Sequence, residues 1–156
     1  MSDVALCLNG PEDAPLTVAL AHGAGAPMDS PFMEEAATGL AERGWRVARF
    51  EFPYMERRRA DGKKRPPDKQ ATLLATWREV IAELGPAERV VVGGKSMGGR
   101  MASLVADEAG VAGWVCFGYP FHPPGKPEKL RIDQLRQLVS PALILQGERD
   151  PFGNRE

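Results

Sequence analysis

At 156 residues and 17.0 kDa the chain fits one domain of ordinary size, long enough to bury a core and too short for two. Its 20 basic and 21 acidic side chains leave a net charge of -1 on a chain that is 43% hydrophobic; this excludes disordered and fibrous classes and leaves no electrostatic footprint for nucleic acid or an anionic membrane. The start, Met-Ser-Asp-Val, lacks the basic and apolar regions of a signal peptide, and no apolar stretch reaches the roughly 20 residues of a spanning helix, so a cytoplasmic location is expected.

A short apolar run at residues 4–8 precedes the turn signal Asn9-Gly10-Pro11, and residues 16–21 (LTVALA) read as a buried strand that stops at His22-Gly23-Ala24-Gly25. Ser30 as N-cap and Pro31 at the first position open a helix with Phe32, Ala36, Ala37, Leu40 and Ala41 on one face and Gly44 as the stop. Residues 45–52 predict a strand. Residues 53–69 are basic and turn-rich, with Arg57, Arg58, Arg59, Lys63, Lys64 and Arg65 among Gly62, Pro66 and Pro67, and predict a long loop. Such a loop is ordinarily a solvated segment; its alternative use is attraction of an anionic substrate or partner. Leu73, Leu74, Trp77, Ile81 and Leu84 then follow helical spacing over residues 70–84, ended by Gly85-Pro86.

The alternation continues with a strand at 89–94, a small-residue helix at 97–108, a strand at 113–119, a proline-rich loop at 120–129, a short helix at 130–139 and a strand at 142–147. Apolar strands separated by helices imply a mostly parallel sheet covered on both faces, so the predicted fold is a three-layer α/β/α sandwich forming a single domain over residues 1–156. Cys7 and Cys116 lie inside apolar runs as small buried hydrophobes, and two thiols make neither a disulfide framework nor a structural zinc site. Sites in such sheets form beyond the C-terminal strand ends, where the residues 22–25 loop, the basic segment, Ser96, His122 and Asp150 all emerge.

Gly94-Lys95-Ser96-Met97-Gly98 is a G-x-S-x-G sequence set directly between a strand and a helix. The turn is tight enough to strain Ser96 and to admit only small residues two positions either side. It lifts the serine hydroxyl to the N-terminus of the next helix, where backbone N–H groups favour developing negative charge. An oxyanion hole at such an elbow takes one donor from the residue after the nucleophile, Met97, and a second from the loop after an earlier strand, where Ala24 comes first and Gly25 next. His22 is read as ordering that loop by hydrogen bonding. Asp150, just past the last strand, is the candidate acid that would orient an imidazole, with Glu148 the weaker candidate.

The segments HGAG, GKSMGG, GYPFHPPGKPEKLR and QGERD resemble the α/β-hydrolase superfamily. Within it the chain is similar to a dienelactone-hydrolase-like branch that includes testis-expressed protein 30 and the third regulatory subunit of the non-specific lethal complex; the resemblance runs from about residue 16 to the C-terminus, and YPFHPPGKPEKLR is its most specific part. It implies Ser96 as nucleophile, Asp150 as acid, Ala24 and Met97 as oxyanion donors, a small-molecule acyl substrate, and no metal or organic cofactor. Some members resemble scaffolds more than catalysts, so a non-catalytic binding module is the alternative.

The family pattern sets its catalytic histidine after the acid, beyond one more helix and strand, whereas the only histidines here are His22 and His122. The fold is therefore expected to be C-terminally incomplete and the triad to lack its base, unless His122 stands in. The same reading makes residues 142–147 an open apolar edge strand, so the chain is expected either to self-associate through that edge or to belong to a longer parent protein.

Overall fold

A computed structural model describes residues 4–156. Met1–Asp3, on which the reading of the N-terminus rests, lie outside the described residues. Six strands form one sheet in the order β1-β3-β2-β4-β5-β6: β1 (Cys7–Asn9), β2 (Thr17–Ala21), β3 (Arg46–Phe50), β4 (Val90–Lys95), β5 (Gly113–Phe117) and β6 (Ala142–Leu145). Only β1 is antiparallel to its neighbour; every other pairing is parallel, including β2 with β4 and β4 with β5. Among the described residues five α-helices accompany them: α1 (Pro31–Glu42), α2 (Pro53–Asp61), α3 (Gln70–Leu84), α4 (Met97–Ala109) and α5 (Asp133–Gln137).

Strand alternation divides the core into the two expected interfaces. Ala19, Ala21, Ala48, Phe50, Val90, Val92, Trp114 and Cys116 pack with Leu73, Trp77, Val80 and Ile81 of α3 and Met101, Ala102, Val105 and Ala106 of α4. Val18, Leu20 and Val47 point the other way and meet Met33 and Ala37 of α1. On that second face α1 lies mainly over β1, β3 and β2. Beside it runs an apolar groove of about 440 Å³ whose lining includes Val91, Val115, Phe117, Leu143 and Leu145. The last two are 54% and 48% exposed on β6, which forms the sheet edge.

Helix α3 has the bounds its periodicity predicts. In α1 the Ser30 hydroxyl accepts from the Met33 N–H and Pro31 stands at the first position, as expected, but the buried side chains are Met33 and Ala37. Phe32 does not join that face; it is exposed at the helix start, where its ring meets Phe117 at 5.5 Å and carries Lys95 Nζ 5.0 Å from its centroid. The short helix is five residues, Asp133–Gln137, well inside the predicted 130–139.

The larger correction concerns residues 53–69. Their first half is a helix, α2, because Pro53 sits at the first helical position, where its missing N–H costs nothing, and Gly62 closes the C-terminus in the left-handed region at φ 73°. Gly62, Pro66 and Pro67 prohibit regular structure only after that point. The return segment brings Asp68 back onto the helix start, where Oδ2 accepts the Tyr54 N–H at 2.9 Å and Oδ1 accepts from Arg57. Three of the arginines are committed internally: Arg57 to Asp68, Arg65 to Asp61, and Arg59 to Glu51 and Asp29. No helix among the described residues is long and apolar enough to cross a membrane.

Candidate active site

Ser96 is the single non-glycine residue with positive φ among those described, at φ 50° and ψ -115°. Its backbone is held from both sides: its N–H donates to the Phe117 carbonyl at 2.9 Å and its carbonyl accepts from the Arg100 N–H at 2.9 Å. The half-buried side chain makes no hydrogen bond with any described residue. The flanking glycines are required by packing. A Cβ on Gly94 would fall on the Ala21 carbonyl oxygen, and one on Gly98 would strike the His22 carbonyl and lie 2.7 Å from Ala21 Cβ. On Gly99 it would lie 2.5 Å from Cys116 Sγ and 2.6 Å from the Gly94 oxygen. Two indoles pin the same turn, Trp77 Nε1 donating to the Gly98 carbonyl at 3.2 Å and Trp114 Nε1 to the Gly99 carbonyl at 2.8 Å. The strain at Ser96 is over-determined by its surroundings, the condition under which such strain persists.

The residues 22–25 loop lies against this elbow, since a Cβ on Gly23 would stand 3.4 Å from the Lys95 carbonyl. His22 is fully buried below it; Nδ1 donates to the Gly23 carbonyl at 2.6 Å and Nε2 accepts the Phe52 N–H at 3.1 Å. That pairing uses one proton on the ring, so His22 is neutral and structural here. Ala24 and Gly25 are exposed, and neither N–H donates to a described backbone or side-chain group. Met97 opens α4, and the first N–H of a helix has no intrahelical acceptor. The loop is anchored at its far end by an ionic cluster in which Glu51 and Arg49 are buried and Arg59 is half exposed. Arg59 makes two 2.8 Å bonds to Glu51, which also accepts the Met28 N–H, while Arg49 donates to the Met28 carbonyl. Burial pushes the Glu51 carboxyl up, but Arg59 and the Met28 N–H together hold it below its usual range.

Asp150 follows β6 in a turn; Oδ1 accepts the Phe152 N–H at 2.8 Å, and Oδ2 lies over Gly118, 3.3 Å from where a Cβ would stand. It sits close enough to Cys116 to add to the effect of burial, which raises that thiol to about 12, and Cys116 Sγ in turn contacts the Ser96 carbonyl. The carboxylate therefore lies at the β5 end, with Oδ2 unbonded among the described residues. Glu148 points elsewhere, 3.7 Å from Arg155 on the exposed surface. His122 is likewise apart: Nδ1 pairs with the Pro123 carbonyl at 2.8 Å, and its cavity is bounded by Phe121, Gly125, Pro151 and Asn154 but not by Ser96 or Asp150. A different hollow, of about 440 Å³ and largely apolar, adjoins the elbow between Phe32, Lys95, Phe117, Gly118, Leu145 and Gln146. Among the described residues no group of three or more His, Cys, Asp and Glu side chains could hold a metal ion.

Sequence reasoning missed Tyr54, Arg58, Arg59 and Glu51 as supports of the loop, since they reach it only through the fold. The Pro53 and Gly62 boundaries were the available signal for the helix that carries the first three.

Burial lowers the His22 pKa, more than its Gly23 hydrogen bond and the Glu51 charge restore it. The unfolded chain then binds the proton more readily, so folding is favoured above the unfolded value of about 6.5 and weakened as pH falls from there toward the depressed folded value. The denaturation midpoint should fall across that window, at up to about 1.4 kcal/mol per pH unit for one proton, and His22→Gln should flatten the slope. A slope unchanged in that variant would assign the titration to another group.

Residues 14–156 match the family model described as an alpha/beta hydrolase domain. Three solved structures share the fold. An alpha-beta serine hydrolase homologue from Coxiella burnetii has TM-score 0.68 and 19% identity, over 93% of this chain and 68% of that one. Est1E from Butyrivibrio proteoclasticus has TM-score 0.70 and 14% identity, over 94% and 74%. Dienelactone hydrolase from Anabaena variabilis has TM-score 0.68 and 19% identity, over 97% and 84%.

Proposed function

The chain belongs to the alpha/beta hydrolase domain family, and from that premise we propose that it is a serine hydrolase acting on a small ester, thioester or lactone. The observation that carries this is the strained Ser96, its hydroxyl unbonded among the described residues, at the start of α4 where Met97 follows and where the Gly23-Ala24 loop packs on Lys95; neither the Ala24 nor the Met97 N–H donates to a described group. Ser96 Oγ attacks the acyl carbonyl, the two amides receive the oxyanion, and Asp150 Oδ2 orients an imidazolium. The hollow along Phe32, Phe117 and Leu145 suits an apolar acyl group. His22 is committed to Gly23 and Phe52, and His122 to Pro123, so the base in this proposal is a histidine outside residues 1–156. That same commitment favours the second reading, a non-catalytic module with a vestigial elbow.

The resemblance of residues 119–131 is what supports placing the chain in the branch that includes testis-expressed protein 30 and the third regulatory subunit of the non-specific lethal complex. A cytoplasmic location fits the two free cysteines. The experiment is labelling by a fluorophosphonate, in this chain and in one extended past Glu156 to include a further histidine. Labelling at Ser96, faster in the extended chain, is expected; an extended chain that stays unlabelled leaves the binding-module reading.

Self-association through the β6 edge belongs to the same proposal, because its unpaired backbone adjoins the exposed Leu143 and Leu145. Sedimentation should show a concentration-dependent oligomer that Leu143→Lys dissociates; a monomer at all concentrations removes the idea.

A further inference from the structure

We infer that Tyr54 is a positioning residue of the oxyanion site, acting on the amides of Ala24 and Gly25 through the carbonyls of residues 23 and 24. The inference rests on the serine hydrolase reading. Tyr54 is 1% exposed in the first turn of α2, and its hydroxyl donates to the Ala24 carbonyl at 2.8 Å and lies 3.3 Å from the Gly23 carbonyl. One turn later Arg58 Nη1 donates to the Gly25 carbonyl at 3.0 Å. Three successive carbonyls are thus drawn to one helix. In a trans peptide the N–H points opposite to the carbonyl of the same unit, so capturing the Gly23 and Ala24 oxygens directs the Ala24 and Gly25 N–H groups away from α2. On its other flank the loop packs against Lys95 and Gly98 of the elbow.

The same bonds strengthen the donors they aim. A carbonyl that accepts a hydrogen bond polarises its peptide and makes the N–H of that unit a better donor, most of all where water is excluded. The Gly23 carbonyl, which polarises the Ala24 N–H, accepts from His22 Nδ1, with the phenol oxygen 3.3 Å away. The helix that supplies the phenol is itself fixed, by Asp68 on the Tyr54 N–H and by Arg59 bridging Glu51 and Asp29. A ring needed only to fill space would not require its hydroxyl.

Tyr54→Phe keeps the ring and removes that hydroxyl. In fluorophosphonate labelling the inactivation rate constant should fall about 10-fold to 100-fold while the binding constant of the probe stays within about two-fold. The thermal midpoint should move by no more than about 3 °C. In amide NMR spectra of the same variant, the Ala24 and Gly25 proton signals should move upfield as their peptides lose polarisation. An unchanged rate constant with unmoved amide signals overturns the inference, as does a rate loss matched by a large drop in the midpoint. Absence of Ser96 labelling in the extended chain as well as in the parent is a separate result, which removes the hydrolase reading and the inference with it.

Discussion

Ser96→Ala should abolish fluorophosphonate labelling while leaving the free energy of unfolding within about 0.5 kcal/mol of the parent. The hydroxyl makes no hydrogen bond with any described residue, so its removal orphans no partner among them. Ser96→Gly separates function from stability more sharply. An L residue at φ 50° and ψ -115° stores strain, of about 1–3 kcal/mol by comparison with other sparsely populated backbone regions. Glycine relieves it, offset by about 0.5–1 kcal/mol of added freedom in the unfolded chain. A net gain of about 1 kcal/mol in urea denaturation, together with complete loss of labelling, is the expected pair of results. Labelling that survives either substitution would place the nucleophile elsewhere, and a less stable Ser96→Gly would show that the backbone is unstrained.

Gly98→Ala should be strongly destabilising. Its Cβ would fall on the His22 carbonyl oxygen and crowd Ala21, both buried. Neither neighbour is the loose end of a side chain, so relief requires moving α4 off β2. Such overpacking costs about 3 kcal/mol or more, against the roughly 1 kcal/mol that alanine gains over glycine in a helix. Gly39→Ala is the matched control. There the nearest atom to a new Cβ is Arg43 Nη1 at 3.7 Å, so the helix preference is realised without a clash, and a gain of about 0.5–1 kcal/mol is expected. Equal effects at the two positions would contradict the close approach of strand and helix at the elbow.

Much of the architecture was written locally. The α3 boundaries followed from its apolar spacing and Gly85-Pro86, and α1 opened at Ser30-Pro31 because cap chemistry depends on a few adjacent residues. The elbow was legible for the same reason, since its glycines, its serine and the elements around it are consecutive. Two errors share one physical cause. Phe32 was assigned to the buried face of α1 by its hydrophobicity, but a first-turn residue at the strand ends meets Phe117 and Lys95 instead. Residues 53–61 looked like solvated loop because their arginines carry no apolar stripe; what makes the segment a helix is Tyr54 and Met55 underneath and Asp68, Glu51 and Asp29 around it. Partners distant in sequence decide both, and local pattern does not record them.

The adjacency of β2 and β4 has a kinetic meaning. The elbow follows one strand and the Ala24 loop the other, yet α1, β3, α2 and α3 all intervene in sequence. Their parallel pairing closes a long loop before it returns any contact energy, and non-local contacts of that kind slow folding. Until that step is complete, Gly98 has no His22 carbonyl beside it and Ser96 has no cause to be strained. A chain with its helices formed but this pairing absent would be compact and chemically mute.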